Sequence, residues 1–438
     1  MKSMERVRIG SPVRITFKRS EPRASARADV PSILDGRPGS PRGACSFGAL
    51  ARWDIGVAGR HLFVLFLGLM LAPLLPGCPG TIGNGGNGDV LDGNVDTTLT
   101  SPLGKTSGEP NGSFDDPIAA VIDAFGGAQV QGTIASSDDM DVFLLGAIDA
   151  GTRVIIDVSS VGSPLDASVA LFDAEGRLAF EDDDRGGDSR ELDPLIDFVT
   201  RRGSEAYYVV IARSAFASSG TRTGTYGIDI TLIPDQTVPT PIPQTLVLDF
   251  DGGEVDSPVL GRMTLEPFNA TDVSPIYAGE TDVMRDAVME TFFQNYERFN
   301  VTILTSDDPE PDQPYSVIFF GGFNPTAFGL AENVDLYNID RCDDAIIFTK
   351  TFSPSAFQFE PSALEMGVAI GNIAAHEAGH LLGLNHVTDD LDLMDDQSAA
   401  DAFLLDQEFI DSPLSSDIIR IGSQDGALLL FETVGPKP

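Results

Sequence analysis

Apolar and polar residues alternate along short runs between residues 113 and 233, and Gly, Asp and Ser turns separate these runs. A period of two places successive side chains on opposite faces of a strand. Regularly spaced strands joined by turns favour an antiparallel β-sandwich. The pattern predicts strands at residues 129–134, 141–145, 153–158, 168–172, 207–212 and 225–232.

From residue 245 onward, the pattern changes to strands mixed with helices. Apolar residues recur close to the helical period over 281–299, and a second helix is predicted to begin near Ser362, with Glu365 completing a capping box. Its apolar residues would face a sheet and are Met366, Ala369, Ile370 and Ile373. Strands are predicted at 245–250, 301–304, 316–320 and 345–348. The chain is therefore predicted to be multidomain, with an all-β sandwich followed by an α+β domain.

Two segments of biased composition divide the chain. Residues 78–112 are rich in Gly, Asn and Thr and predict a flexible tether, while residues 234–244 are proline-rich and predict an extended linker. The predicted organisation is an N-terminal extension with a signal peptide at 1–77, the tether at 78–112, the sandwich at 113–233, the linker at 234–244 and the α+β domain at 245–438.

An apolar run at 62–75 is too short to span a bilayer comfortably and fits the apolar part of a secretory signal. The Leu75-Pro76-Gly77-Cys78 sequence that follows resembles a bacterial lipobox, which implies lipidation of Cys78. The chain is therefore expected to be exported and anchored to the membrane as a lipoprotein on the cell envelope or surface. Ordinary secretion after cleavage and an uncleaved short anchor are the alternatives.

The charge is strongly asymmetric along the chain. Residues 1–60 contain 12 Lys and Arg against 5 Asp and Glu, whereas residues 61–438 contain 61 acidic against 16 basic residues. So acidic a surface repels phosphates, which excludes nucleic acid as a partner.

Three of the four histidines lie within the eleven residues His376-Glu-Ala-Gly-His-Leu-Leu-Gly-Leu-Asn-His386. His376 and His380 are four apart, so on a helix they project from one face, with Glu377 beside them. Gly383 allows the chain to turn sharply and bring His386 round as a third ligand. Three protein ligands with an open position are typical of catalytic zinc. The alternative is a helix with exposed histidines and no metal.

This stretch resembles the metzincin signature, which ends in a third histidine and is followed by a methionine turn. Met394 lies eight residues after His386 and directly follows a leucine, which is most similar to the matrixin branch. The resemblance implies a twisted sheet, an active-site helix and Zn2+ held by His376, His380 and His386. It implies that Glu377 is the general base that takes a proton from the attacking water and delivers it to the leaving amine. Met394 would form an apolar floor under the metal.

Two features depart from the family. Asp395 and Asp396 follow Met394 where matrixins commonly have Tyr-Pro, and no tyrosine stands two residues after the methionine. The resemblance therefore implies three ligands without a tyrosine. It also implies that residues 414–421 begin a C-terminal helix, with Ser415 or Ser416 as its N-cap.

The segment 113–233 resembles the bacterial pre-peptidase C-terminal domain, a jelly-roll-like accessory module of secreted peptidases. The resemblance rests on Gly132-Thr-Ile, Asp139-Met-Asp-Val-Phe, Leu165-Asp-Ala-Ser-Val-Ala-Leu-Phe-Asp, Tyr208-Val-Val and Gly224-Thr-Tyr. The acidic loops here are candidates for a structural Ca2+, because clustered carboxylates suit a hard cation. Turn residues that face water are the alternative. The loop residues are Asp138, Asp139, Asp141 and 181–184.

Cysteine usage excludes a disulfide framework if the mature chain begins at Cys78. Of Cys45, Cys78 and Cys342, only Cys342 would then remain as a free thiol, and it is expected to be a small buried residue.

These features together predict a zinc metalloendopeptidase that acts on protein or peptide substrates outside the cytoplasm. One alternative is a non-enzymatic surface-binding or adhesion lipoprotein with a vestigial peptidase domain. Another is a zinc hydrolase that acts on a non-peptide amide.

Overall fold

The structure is a computed structural model, and it describes residues 64–66, 104–106, 111–160, 162–185, 192–257, 259–396 and 399–438. These residues fall within one compact unit that spans 41–438. Cys78 and most of the predicted signal and tether lie outside the described residues. Among the helices of the described residues, none is long and apolar enough to cross a membrane.

The first half of the described chain is built from strands. Their bounds are β1 Val64–Phe66, β2 Gly104–Thr106, β3 Ile118–Ala119, β4 Gly127–Ile134, β5 Met140–Ile148, β6 Arg153–Ser159, β7 Ala167–Phe172, β8 Leu178–Asp182, β9 Leu195–Val199, β10 Ser204–Arg213 and β11 Gly224–Ile233. One five-stranded sheet has the order β3-β5-β10-β7-β8, and the other has the order β2-β4-β11-β6-β9. Apolar side chains from both sheets meet in one core, so the two sheets form a sandwich.

The six strands predicted from the alternating pattern are confirmed as β4, β5, β6, β7, β10 and β11, with ends that extend by up to three residues. Strands β8 and β9 were not predicted. All five residues of β8 are buried, including Glu181 and Asp182, so this strand does not alternate between buried and exposed positions. A period-two pattern cannot reveal a strand that is covered on both faces.

The second half mixes strands and helices. Its strands are β12 Gln244–Asp249, β13 Gly253–Ser257, β14 Gly261–Leu265, β15 Val301–Thr305, β16 Ser316–Phe320, β17 Ala327–Ala331, β18 Ala345–Ile347, β19 Asp411–Pro413 and β20 Ser423–Asp425. Its helices are α1 Ala270–Val273, α2 Thr281–Asn295, α3 Ala363–Leu381 and α4 Gly426–Thr433, with short 3-10 turns at Pro275–Tyr277, Thr349–Thr351, Pro354–Ala356 and Ala400–Leu404.

One mixed sheet organises this half and has the order β1-β17-β18-β16-β12-β15. Strands β15, β12, β16 and β18 are parallel, whereas β17 runs antiparallel to β18. Helix α3 packs against α2, and its side chains share one core with residues of β12, β16 and β18.

Helix α3 begins where the sequence predicts. Ser362 Oγ accepts a hydrogen bond from the N–H of Glu365, and the Glu365 side chain accepts one from the N–H of Ser362. This reciprocal capping box satisfies two N–H groups that a helix start would otherwise leave without partners. The four apolar residues predicted to face the sheet, Met366, Ala369, Ile370 and Ile373, are all buried. The prediction of this helix is therefore confirmed.

The prediction of the C-terminal helix is wrong. Residues 414–421 contain no helix, and α4 begins at Gly426 with Asp425 as its N-cap. Ser415 is used differently: its N–H donates to the carbonyl of His386, and its Oγ donates to the carboxylate of Asp396. Ser415 Oγ also accepts from the N–H of Asp417, but only a turn follows it and no helix forms.

Cys342 is disulfide-bonded in the structure, whereas the sequence predicts a free thiol for a chain that begins at Cys78. The other two cysteines, Cys45 and Cys78, lie outside the described residues. The prediction counted only the cysteines of a chain cut at Cys78.

Candidate metal centre

Helix α3 presents two histidines from its last turns toward one point. His376 and His380 are one helical turn apart and buried, and their Nε2 atoms lie 3.1 Å from each other. The four-residue spacing predicted that they share a face of the helix, and the structure places them so. The alternative of exposed histidines does not describe this helix.

Gly383 turns the chain back immediately after the helix. Its φ is +93°, a conformation that a residue with a Cβ resists, and its N–H donates to the carbonyl of His380. The turn brings His386 beside the two helix histidines. Its Nε2 lies 3.2 Å from that of His376 and 3.1 Å from that of His380.

The protonation of the rings fits a bound cation. His376 Nδ1 lies 2.8 Å from the carbonyl oxygen of Leu393, and His380 Nδ1 lies 2.7 Å from that of Leu384. A carbonyl can only accept, so both Nδ1 atoms carry the proton and both neutral rings turn an Nε2 lone pair inward. Tetrahedral zinc at about 2.0 Å from each nitrogen separates its ligands by about 3.3 Å, close to the separations found here.

Burial keeps these rings neutral. It lowers the pKa of His376 to about 4, with the Leu393 carbonyl acting in the opposite direction. It lowers the pKa of His380 and His386 well below the ordinary value, and the neighbouring histidines add to this effect. Neutral imidazole is the form that binds a metal. The residues present therefore fit a zinc ion.

Met394 packs against helix α3. A Cβ on Gly379 would come within 2.5 Å of Met394 Sδ, so the sulfur is packed directly against the backbone of α3 between the two histidines. The N–H of Val387 donates to the carbonyl of Met394, which ties this turn to the residue after His386.

Asp392 holds the methionine turn from inside. Its carboxylate accepts hydrogen bonds from the N–H of Met394 at 2.9 Å and from Ser412 Oγ at 2.7 Å. Burial raises the pKa of Asp392 to about 6, against the opposing effect of these hydrogen bonds. Asp392 was not among the residues predicted from sequence, because an aspartate in a loop carries no distinctive spacing.

The raised pKa of Asp392 predicts a pH dependence of stability. A carboxyl whose pKa rises from 3.8 to about 6 on folding stabilises the folded state below pH 3.8, and this contribution is lost as the pH rises to 6. The pKa difference corresponds to about 3 kcal/mol in the free energy of unfolding. We expect the stability of the metal-free parent relative to Asp392→Asn to fall by this order between pH 4 and 7, measured by urea unfolding. A difference that stays constant with pH would contradict the prediction.

Glu377 is 1 % exposed, and neither carboxylate oxygen has a protein donor at hydrogen-bonding distance and angle. Burial raises its pKa well above the ordinary value, while the N–H of Ala331 acts in the opposite direction. The carboxylate lies against Gly329 of β17, where a Cβ would approach Glu377 Cδ to within 2.6 Å. Glu377 therefore occupies space that only a glycine leaves open, and no pattern in the sequence indicates this contact.

Replacing Gly329 by alanine is expected to displace the Glu377 carboxylate without touching the histidines. A shift of about 1 Å in a catalytic group can lower a rate by about 10²-fold. We expect kcat of the predicted zinc-dependent peptidase reaction to fall by this order in the Gly329→Ala variant, with zinc content unchanged. Gly227→Ala is the matched control, since a Cβ there meets nothing within 4 Å. Equal kcat values for the two variants would refute the contact.

Gln424 of β20 is a further residue that sequence reasoning missed. Its Oε1 accepts from the N–H of Asn385, and its Nε2 donates to the carbonyl of Asn385, both at 2.8 Å. The buried amide therefore holds the backbone beside His386 in the way that a neighbouring strand would. A single glutamine some forty residues from the motif gives no pattern by which to recognise this role.

The acidic residues do not form a comparable cluster. Within the described ranges, the three histidines are the only group of three or more His, Cys, Asp or Glu whose ligand atoms lie within 4.8 Å of one another. In the sandwich, Asp141 is buried and accepts from Asn111 and from the Tyr226 hydroxyl, and Asp138 pairs with Arg420. Calcium at the acidic loops stays a prediction.

No protein-family model and no curated protein matches the sequence. Among solved structures, archaemetzincin from Methanopyrus kandleri is similar at 13 % identity and a TM-score of 0.22, over 44 % of this chain and 95 % of that one. The pre-peptidase C-terminal domain of Bacillus anthracis collagenase is similar at 15 % identity and a TM-score of 0.20, over 28 % of this chain and 100 % of that one. The g-type lysozyme inhibitor PliG from Aeromonas hydrophila is similar at 10 % identity and a TM-score of 0.22, over 30 % and 98 %. At these scores the similarities assign the chain to no family.

Proposed function

We propose that the chain is a zinc-dependent, matrixin-like endopeptidase that hydrolyses peptide bonds of proteins outside the cytoplasm. The observation that carries the proposal is the buried triangle of Nε2 atoms from His376, His380 and His386, with separations of 3.1 to 3.2 Å. The glutamate next to the first histidine supplies the acid–base group that peptide hydrolysis needs.

Each residue has a distinct task in this proposal. The histidines hold the metal through neutral Nε2 atoms, and the carbonyls of Leu393 and Leu384 fix the orientation of two of the rings. Glu377 takes a proton from the attacking water at its carboxylate and gives it to the leaving amine nitrogen. Burial raises the pKa of Glu377, which favours uptake of the proton from water. Zinc, when bound, acts as a Lewis acid that polarises the scissile carbonyl and acidifies water.

We further propose that the protein is an exported lipoprotein anchored through Cys78. The lipobox-like sequence and the Gly- and Asn-rich segment after it support this, since such a segment would hold the folded part clear of the membrane. Mass spectrometry of the N-terminal peptide from the native host would detect a diacylated Cys78. An unmodified cysteine at this position would end the proposal of an anchor.

The function is tested on the full chain by metal analysis and a protease assay together. We expect one zinc per chain, with casein or gelatin cleavage that a chelator stops and added zinc restores. Zinc binding without cleavage of any protein substrate would favour the non-enzymatic alternative. A chain that takes up no zinc would refute both the metal site and the proposed activity.

A further inference from the structure

Residues 335–338 form a loop between β17 and β18 that lies against the end of the active-site helix. The N–H of Asp335 donates to the carbonyl of His380 at 3.0 Å. A Cβ on Gly383 would lie 2.7 Å from the Cα of Leu336 and 2.9 Å from the nitrogen of Tyr337. The loop backbone is therefore in direct contact with the turn that brings His386 to the other two histidines.

The sandwich holds the other side of the same loop. Leu336 is 2 % exposed and packs in the hydrophobic core of the sandwich, although it belongs to the second half of the chain. The Tyr337 hydroxyl donates to the carbonyl of Ala179 in β8 at 2.8 Å, and the Arg201 guanidinium lies 4.1 Å from the centre of the Tyr337 ring. The ring also stacks beside Phe198. A short loop thus contributes a core residue to the sandwich and a backbone contact to the metal site.

The loop backbone has an unfavourable conformation that its contacts must maintain. Tyr337 has a φ of +65° and Asn338 a φ of +52°, and a bulky aromatic residue in this region is an outlier. Such a conformation is unfavourable and persists only where the surroundings fix it. The surroundings of Tyr337 come largely from the sandwich.

We propose that Tyr337 is a positioning residue through which the sandwich fixes the Gly383 turn, so that the sandwich is an integral part of the metal site. The inference rests on the metal site of the proposed function and does not require peptidase activity. The inference gives the sandwich a definite role. Without the contacts from the sandwich, the loop would relax and would no longer pack against Gly383. His386 would then move away from His376 and His380.

The test compares Tyr337→Ala and Arg201→Ala with Arg420→Ala. Arg201 belongs to the sandwich, and Arg420 joins the sandwich to the second half of the chain through Asp138, without a contact to the loop. Zinc affinity is measured by competition with a chromophoric chelator, and site geometry by the absorption spectrum of the cobalt-substituted protein. Outer contacts that orient metal ligands are typically worth about 10- to 100-fold in affinity.

We expect Tyr337→Ala to weaken zinc binding at least tenfold and to change the cobalt spectrum, with Arg201→Ala changing both in the same direction. Tyr337→Phe, which keeps the ring, should restore most of the affinity. Arg420→Ala should leave both readouts at parent values. If Tyr337→Ala does not fold, Arg201→Ala decides, because it leaves the residues of the loop unchanged. Arg201 also donates to the carbonyl of Glu432 in α4, so the melting temperature of Arg201→Ala is measured beside that of Arg420→Ala. The inference is overturned if Arg201→Ala binds zinc within twofold of Arg420→Ala and gives the same cobalt spectrum.

Hydrogen exchange of the metal-free protein separates this inference from the proposed function. We expect the peptide that covers residues 383–386 to exchange faster in Tyr337→Ala and Arg201→Ala than in the parent and in Arg420→Ala. This readout needs no metal, so it tests the contact even if the parent takes up no zinc. Equal exchange in all four proteins would refute the role of Tyr337.

Discussion

Replacing Glu377 by glutamine is expected to lower kcat/KM for a protein substrate about 10³-fold, within the range that a single general acid–base group contributes. Glutamine has nearly the same shape, so it keeps the buried volume beside Gly329 and leaves the three histidines in place. It cannot take up a proton at the pH of the assay. The loss should therefore appear in kcat, with zinc content and melting temperature close to those of the parent.

One matched control makes this result interpretable. Glu365→Gln changes another glutamate of the same helix, one that lies at the capping box and away from the histidines. It should lower the melting temperature slightly and leave kcat unchanged. If Glu377→Gln keeps more than a tenth of the parent kcat with zinc bound, Glu377 is not the general base and the assignment fails.

Much of the candidate site could be predicted because its chemistry is local in sequence. The four-residue spacing of His376 and His380, the glycine at 383 and the third histidine at 386 lie within one helix and one turn, where short-range geometry decides the arrangement. The capping box at Ser362 and Glu365 is of the same kind. Patterns with a period of two or 3.6 also identified six strands of the sandwich and the buried face of α3.

The contacts that hold the site in place could not be predicted because they join distant segments. Gln424 reaches Asn385 across 39 residues, and Gly329 faces Glu377 across 48. Neither follows from residue type or periodicity, since tertiary packing alone brings these segments together. The failed C-terminal helix has a related cause. Ser415 accepts from the N–H of Asp417 as an N-cap does, but only a turn follows, and its other hydrogen bonds go to the carbonyl of His386 and to Asp396.

The relation between the two halves of the chain shows the same limit. A proline-rich segment predicts an extended spacer at a domain boundary. Contacts such as the Arg202–Glu432 pair at 2.9 Å and the Arg177–Asp411 pair at 2.8 Å also join the sandwich to the second half. Arg202 is largely buried and also bonds to Asp173. The composition of a linker predicts how stiff and extended that segment is. It does not predict whether the domains on either side of the linker pack against each other.

Replacing His386 by alanine is expected to remove zinc and to abolish the stabilisation that zinc provides. In the parent, three neutral rings direct their Nε2 atoms at one point with separations of 3.1 to 3.2 Å. A bound cation would relieve the repulsion among the three lone pairs. A ligand that binds only the folded state at about 1,000 times its Kd stabilises by about 4 kcal/mol. We expect saturating zinc to raise the melting temperature of the parent clearly and to leave that of His386→Ala within about 1 °C of the metal-free protein, since the stabilisation scales with affinity.

Calorimetry with and without zinc, together with metal analysis, measures this difference. Thr388→Ala, an exposed position two residues further on, is the matched control and should keep the full zinc-dependent shift. In the metal-free state His386→Ala should lose less stability than an ordinary large-to-small core substitution, because removing one ring also removes the crowding of the three nitrogens. A His386→Ala protein that still holds one zinc with the parent's stabilisation would show that the third ligand comes from elsewhere, and the matrixin-like arrangement would then be wrong.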